Sequence, residues 1–140
     1  MKKTYTLYIL LAVLVMSLLC ACGQTKQPAD PWNDAIYTED TSFGDGEKTV
    51  SVAVCVEEHT VTFTLHTDKE TLGEALLEHN LIAGEQGAYG LYVKVVNGIT
   101  ADYSANQRYW SLEKNGEYMQ TGVDATTITD GEAYALIYTE

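Results

Sequence analysis

Three histidines, 20 carboxylates and three cysteines are the side chains of this sequence with reactive or metal-binding chemistry to offer. His59, His66 and His79 lack the spacing of paired ligands on one helical turn, and they fall at a strand end, a strand face and a helix end. Glu57-Glu58 and Asp130 sit at expected turns, where a solvated carboxylate is the ordinary state, so no general acid/base pair is indicated. No nucleophile elbow, phosphate-binding glycine loop or dinucleotide fingerprint occurs, and the glycines are spaced as turn residues. The sequence therefore reads as a non-enzyme, with no catalytic residue and no metal ligand assigned. What it does hold is aromatic: Tyr89, Tyr92, Tyr103, Tyr109, Tyr118, Tyr134 and Tyr138, with Trp110 among them. Tyr and Trp offer large contact area, few rotors and a polar tip, which suits binding. Aromatics also favour strands, so each has a core reading beside the binding one.

The other residue with a specific chemistry is Cys22. Lys2 and Lys3 precede a charge-free, mainly apolar run from Tyr8 to Leu19 that is too short to span a bilayer, and small residues follow; this is the pattern of a secretory signal peptide over residues 1–21. Leu19-Cys20-Ala21-Cys22 resembles the bacterial lipobox, which implies cleavage before Cys22 and its diacylation. Two acyl chains suffice for stable anchoring, at about 0.8 kcal/mol per buried methylene. The expected location is the extracytoplasmic face of the cell membrane, held by lipid, and no cofactor is covalently attached beyond it. The whole chain has a formal charge of −12, and loss of residues 1–21 leaves 6 Lys plus Arg against 20 acids, or −14. Such a field repels phosphate backbones and anionic headgroups, so nucleic acid is excluded as a partner and the lipid alone must hold the membrane. Cys55 then has no intrachain partner; within Val-Ser-Val-Ala-Val-Cys-Val it reads as a small buried residue.

Residues 22–48 carry both prolines and little periodicity and read as a tether. Trp32, Ile36, Tyr37 and Phe43 are heavy for a spacer, and the part nearest the domain either packs back on it or meets a partner. Residues 49–140 form one domain, enough for a single core. Val50, Val52, Val54 and Val56 alternate with Ser51, Ala53 and Cys55, and Val61, Phe63 and Leu65 alternate with Thr62, Thr64 and His66, predicting two antiparallel strands. Thr71-Leu-Gly-Glu74 is a capping box opening a short helix, with Asn80 as its left-handed stop. Gly84–Gly90 reads as a loop. Leu91–Val96 follows as a strand, with Leu91, Val93 and Val95 on one face and Tyr92, Lys94 and Val96 on the other. Asn115-Gly116 predicts a hairpin between Tyr109–Glu113 and Glu117–Met119. Asp130-Gly131 predicts a second, leading into Ala133–Tyr138, whose two apolar faces make it a central strand. The fold class is α+β: a mainly antiparallel sheet with one short helix, in a β-grasp-like arrangement.

From Thr71 to Tyr138, about half the chain, the order of motifs resembles the C-terminal β-domain of transcobalamin and intrinsic factor and the bacterial surface-lipoprotein domains of unassigned function grouped with it. The motifs are the Thr71-headed helix with Ala75-Leu76, then Gly90-x-Tyr92, Gly98, Tyr109-Trp110, Gly122-Val-Asp124 and Asp130-Gly131. The resemblance implies a transcobalamin-like fold, and a face that covers one side of a corrinoid, with Tyr89, Tyr92, Val93, Tyr109 and Trp110 as ligand-binding residues. It also implies a departure, since the carriers clamp cobalamin against a second, helical domain that this sequence does not contain. The expected function is capture of a ligand, with a corrinoid as first candidate, near a membrane transporter. The alternative is a surface protein-interaction or adhesion module with no small ligand.

Overall fold

A computed structural model describes residues 28–140. The expected signal peptide, the acylated Cys22 and the start of the tether, to residue 27, lie outside the described residues. The strands run β1 (Thr41–Gly44), β2 (Lys48–Val56), β3 (His59–Thr67), β4 (Ile82–Gly87), β5 (Gly90–Val96), β6 (Ile99–Thr100), β7 (Tyr109–Lys114), β8 (Glu117–Tyr118) and β9 (Ala133–Thr139). Helix α1 spans Leu72–Glu78, the single-turn α2 spans Tyr103–Asn106, and 3-10 turns cover Pro31–Asp34 and Val123–Ala125. A six-stranded sheet has the order β1-β3-β2-β9-β7-β8, and a three-stranded sheet the order β4-β5-β6. This is the α+β class expected. Most pairs are antiparallel, but β1 lies parallel to β3 and β9 parallel to β2.

The alternation of β2 and β3 builds the core. Val50, Val52, Val54 and Val56 are at most 1 % exposed, and Val61, Phe63 and Leu65 lie beside them across the antiparallel register. Burying one Val or Phe stabilises by about 1.5–3 kcal/mol, so these two strands dominate the hydrophobic term. Helix α1 covers them with Leu72, Ala75 and Leu76. Its capping box forms as the sequence predicts: Glu74 N–H donates to Thr71 Oγ1 at 3.3 Å, and Thr71 N–H to Glu74 Oε2 at 3.2 Å. Asn80, at φ 55°, stops it.

Five expectations are corrected. Residues 28–47 are not a bare tether: β1 joins the sheet, and Tyr37, Phe43 and Phe63 meet edge to face with ring centroids 5.2–5.7 Å apart. Fully buried Asn97 clips this segment down, accepting from Tyr37 N–H at 2.9 Å and donating to Tyr37 C=O at 2.8 Å. The heavy apolar side chains that sat oddly in a spacer are its reason for packing. The stretch expected as a loop over Gly84–Gly90 is largely β4, paired to β5; its exposed side chains show no alternation, so backbone pairing alone makes it a strand.

A register shift at Ala83/Gly84 leaves Lys94 unpaired as a β-bulge. Beyond it Val96, not Val95, is buried, which reverses the face assignment made from simple alternation. Asn115-Gly116 forms its hairpin with both residues at positive φ, 51° and 80°. Asp130-Gly131 does not form one: β9 pairs with β2 and β7, and Asp130 carboxylate accepts from Thr49 N–H at 2.7 Å, tying the turn to the start of β2. Finally, Cys55 is half-buried on the outer face of β2, because the valines take the inner one.

Candidate ligand-binding site

β5 and β7 belong to different sheets and border a cleft of about 250 Å³, closed at one end by the segment from Tyr118 to Val123. Four of the five residues singled out in the sequence line it: Tyr92 and Val93 from β5, Tyr109 and Trp110 from β7. The fifth, Tyr89, sits on the β4–β5 turn, 98 % exposed and away from the cleft. Tyr103 is exposed on α2, Tyr118 is exposed at the cleft rim, and Tyr134 is core.

Both strands present open edges here. β5 pairs with β6 only at Val95 and Val96, so the edge along Leu91–Val93 has no strand beside it. β7 pairs with β8 only at Glu113 and Lys114. Leu112 C=O accepts from Met119 N–H at 2.9 Å, and the strand period of two places Trp110 N–H and C=O on that same edge, beyond the reach of β8. The indole of Trp110 is itself only 9 % exposed, and its Nε1–H is buried with no partner. An unmet buried donor costs about 1–3 kcal/mol, and with no accessible surface this one is enclosed in the wall, so the free hydrogen-bonding groups at the cleft are those of the strand edges.

Polar contacts brace the walls. Asp124, from the 3-10 turn, accepts Leu91 N–H at 2.9 Å and fixes the end of β5. A side chain at Gly73 would run into the same carboxylate, which is why helix α1 carries glycine there. Lys94 Nζ lies 3.1 Å from both Asp102 and Glu85 and 5.9 Å from the centroid of the Tyr92 ring. Its hydrogen bond to Asp102, then that to Glu85, raises the Lys94 pKa, and the Lys94 hydrogen bond lowers that of Asp102. Behind the cleft Trp110 meets Tyr138 edge to face at 5.4 Å, and Arg108 lies 5.4 Å over the other ring. Burial pushes the Tyr138 phenol up against the opposing pull of Arg108. The sequence reading missed Asp124 as a brace, although Gly122-Val-Asp124 stood among its motifs, and missed Met119 in the cleft lining.

A larger space, about 730 Å³, opens between residues 28–34, Glu57, Arg108 and Tyr138, and none of the five singled-out residues lines it. The histidines stay apart in role: His59 stacks on Trp32, His66 Nδ1 lies 3.0 Å from Thr49 Oγ1, and His79 packs against Phe43. Among the described residues no group of three His, Cys, Asp or Glu side chains could hold a metal ion, and no helix is long and apolar enough to cross a membrane.

Residues 69–136 match the family described as Domain of unknown function (DUF4430). No curated protein matches the chain. Among solved structures, a candidate metal-binding protein from Ruminococcus gnavus ATCC 29149 is similar at 39% identity and TM-score 0.63, over 67% of this chain and 98% of that one. Haptocorrin, solved in complex with Cbi, is similar at 17% identity and TM-score 0.58, over 70% of this chain. The match spans about a quarter of haptocorrin, 26% of its chain, and at that identity it shows a shared fold.

Proposed function

This chain and the Ruminococcus gnavus protein belong to one family, with residues 69–136 carrying the domain DUF4430, and we propose a lipid-anchored, extracytoplasmic binding protein that holds a small ligand at the β5–β7 cleft. The observation that carries the reading is that Tyr92, Val93, Tyr109 and Trp110, from two sheets, border one cleft along strand edges that no neighbouring strand occupies. A corrinoid is the first candidate. It presents a broad apolar macrocycle edged with amides, which suits flat aromatic contact together with open strand edges. The fold shared with haptocorrin supports that choice. Drug-sized pockets run to about 300–1,000 Å³, so a cleft of about 250 Å³ takes an edge of such a ligand while the macrocycle lies across Tyr92. With one face covered, the dissociation constant belongs near micromolar, about −8 kcal/mol. No residue is given a catalytic role. Cys22 supplies the anchor, and a membrane transporter is the natural recipient of what is held.

Calorimetric titration of the soluble domain with cobalamin and cobinamide tests the ligand. Binding weakened about tenfold or more by Trp110→Ala or Tyr92→Ala, which is about 1.4 kcal/mol or more, with circular dichroism unchanged, is expected. Absence of heat at high micromolar corrinoid would replace this reading by the protein-interaction module. Anchoring is tested separately: Cys22→Ser should move the protein out of the detergent phase and leave residues 1–21 uncleaved.

A further inference from the structure

The dipeptide Asn-Gly occurs at Asn97-Gly98 and again at Asn115-Gly116. Both have the same local conformation. Each is the two-residue turn of a hairpin, β5 to β6 in the first and β7 to β8 in the second, with φ of 52° and 80° at one and 51° and 80° at the other. Their surroundings are opposite. Asn97 is fully buried, its side-chain amide is hydrogen-bonded at both ends to Tyr37, its C=O accepts from Ile36 N–H at 3.0 Å and its N–H donates to Leu81 C=O at 2.9 Å. Gly98 is covered as well, since a Cβ there would stand 2.6 Å from Asp34 C=O and 2.8 Å from Ile36. Asn115 is exposed, its side chain makes no hydrogen bond among the described residues, and apart from chain neighbours nothing lies within 4 Å of where a Cβ of Gly116 would be.

We propose that Asn115 is a site of spontaneous covalent modification in the folded protein, converting to aspartate and isoaspartate and loosening β8, while the same dipeptide at Asn97 is kept from reacting by its packing. The Gly116 amide nitrogen attacks Asn115 Cγ. The new N–Cγ bond closes a five-membered succinimide ring, the Cγ–Nδ2 bond breaks, and Nδ2 departs as ammonia with the proton lost from the Gly116 nitrogen. Water then opens the ring. Cleavage between that nitrogen and Cγ leaves an aspartate, whereas cleavage between it and the main-chain carbonyl carbon routes the backbone through Cγ, an isoaspartate with one extra methylene in the chain. Glycine on the attacking side puts no Cβ in the way. Ring closure requires the turn to leave its positive-φ geometry, so the rate follows the ease of local opening. At β8 that opening disturbs only the pairs Glu113 with Tyr118 and Lys114 with Glu117, and the Met119 hydrogen bond to Leu112. At Asn97 it would strip off residues 34–37 and uncover Val96 and Ile99, both core. A methylene added to a two-residue turn spoils the register that the turn sets, and Tyr118 and Met119, next along the chain, line the β5–β7 cleft. The modification stands on the two turns alone and does not depend on the ligand reading.

The purified protein, incubated folded at body temperature and mildly alkaline pH, is sampled over weeks by peptide mapping and by labelling with an isoaspartyl methyltransferase. Conversion at Asn115 is expected to run about tenfold or more ahead of conversion at Asn97, because the two differ only in the cost of opening. In guanidinium chloride, where neither turn is folded, the two sites should convert at similar rates. Asn115→Gly should abolish labelling of the β7–β8 turn while keeping a residue that accepts positive φ, so a failure to fold does not confuse the result. In the isoaspartyl fraction, separated by ion exchange, the amides of Tyr118 and Met119 should exchange faster than in the parent, and in Asn115→Gly they should not. Equal conversion of Asn97 and Asn115 in the folded protein would overturn the proposal, as would an Asn115 still intact after the unfolded chain has converted fully. An isoaspartyl fraction with unaltered exchange at β8 would overturn it too.

Discussion

The two sheets are held by different means. In the six-stranded sheet, β2 and β3 set seven aliphatic or aromatic side chains at 0–2 % exposure, each backed by the others. In the three-stranded sheet Ile82, Val96 and Ile99 join the same core, but toward the cleft β5 offers Leu91 and Val93 only half-buried, and that end leans on single polar pins, Asp124 to Leu91 and Lys94 to Asp102. Redundant burial makes a frame, whereas a few replaceable hydrogen bonds make a wall that can shift around a ligand. The cleft lies where frame and wall meet.

Loss from the frame should therefore be the largest effect and should be global. Phe63→Ala removes a ring at 0 % exposure that touches Tyr37 and Phe43, and a cost of about 3–5 kcal/mol is expected in denaturant melts, with amide exchange rising in both sheets together. Loss from the wall should be smaller and local. Asp124→Ala leaves Leu91 N–H without its acceptor, for about 1–3 kcal/mol, and faster exchange confined to β4 and β5. An Asp124→Ala protein that melts like Phe63→Ala, with no local change, would show that the two sheets are one cooperative unit and dissolve the comparison.

Features governed by near neighbours in the chain were legible beforehand. The valine alternation of β2, the Thr71-Glu74 box and the positive-φ Asn115-Gly116 turn each depend on residues a few positions apart. Those set by distant partners were not. Asp130-Gly131 looks like a hairpin until β2 arrives alongside β9, the bulge at Lys94 is visible only against β4, and β4 has no pattern apart from its pairing. Of the five residues that the resemblance singled out, the structure places four along one cleft, since the two strands that carry them lie side by side across the gap between the sheets. Tyr89, named by the resemblance although it falls in the stretch read as a loop, stands on the β4–β5 turn away from the cleft.

Between frame and wall stands helix α1, and Thr71→Ala should cost about 0.5–2 kcal/mol by thermal melt, less than any core truncation. A pH-dependent contribution sits at the frame's edge. Burial would raise the Glu132 carboxyl, but Lys114 Nζ at 2.6 Å, Tyr134 hydroxyl at 2.5 Å and Thr129 N–H at 2.8 Å outweigh it and hold the pKa at about 2, below the ordinary 4.5. A depressed folded pKa contributes stability that is complete above 4.5 and is lost as pH falls toward about 2. Lys114→Met should flatten that acid limb of a stability profile while changing little in the exchange of β4 and β5; a limb left intact would place the stabilisation elsewhere.

The parallel seating of β9 against β2 also has a kinetic meaning. Val52 and Tyr134, paired across that ladder, are separated by most of the domain, so the sheet's middle closes only after everything between them is available. Until then the β2–β3 and β7–β8 hairpins exist as two halves with bare edges, which folds slowly and invites pairing with other chains. A fragment lacking residues 133–139 would leave β2 and β7 without the strand that joins them, and so without a closed sheet.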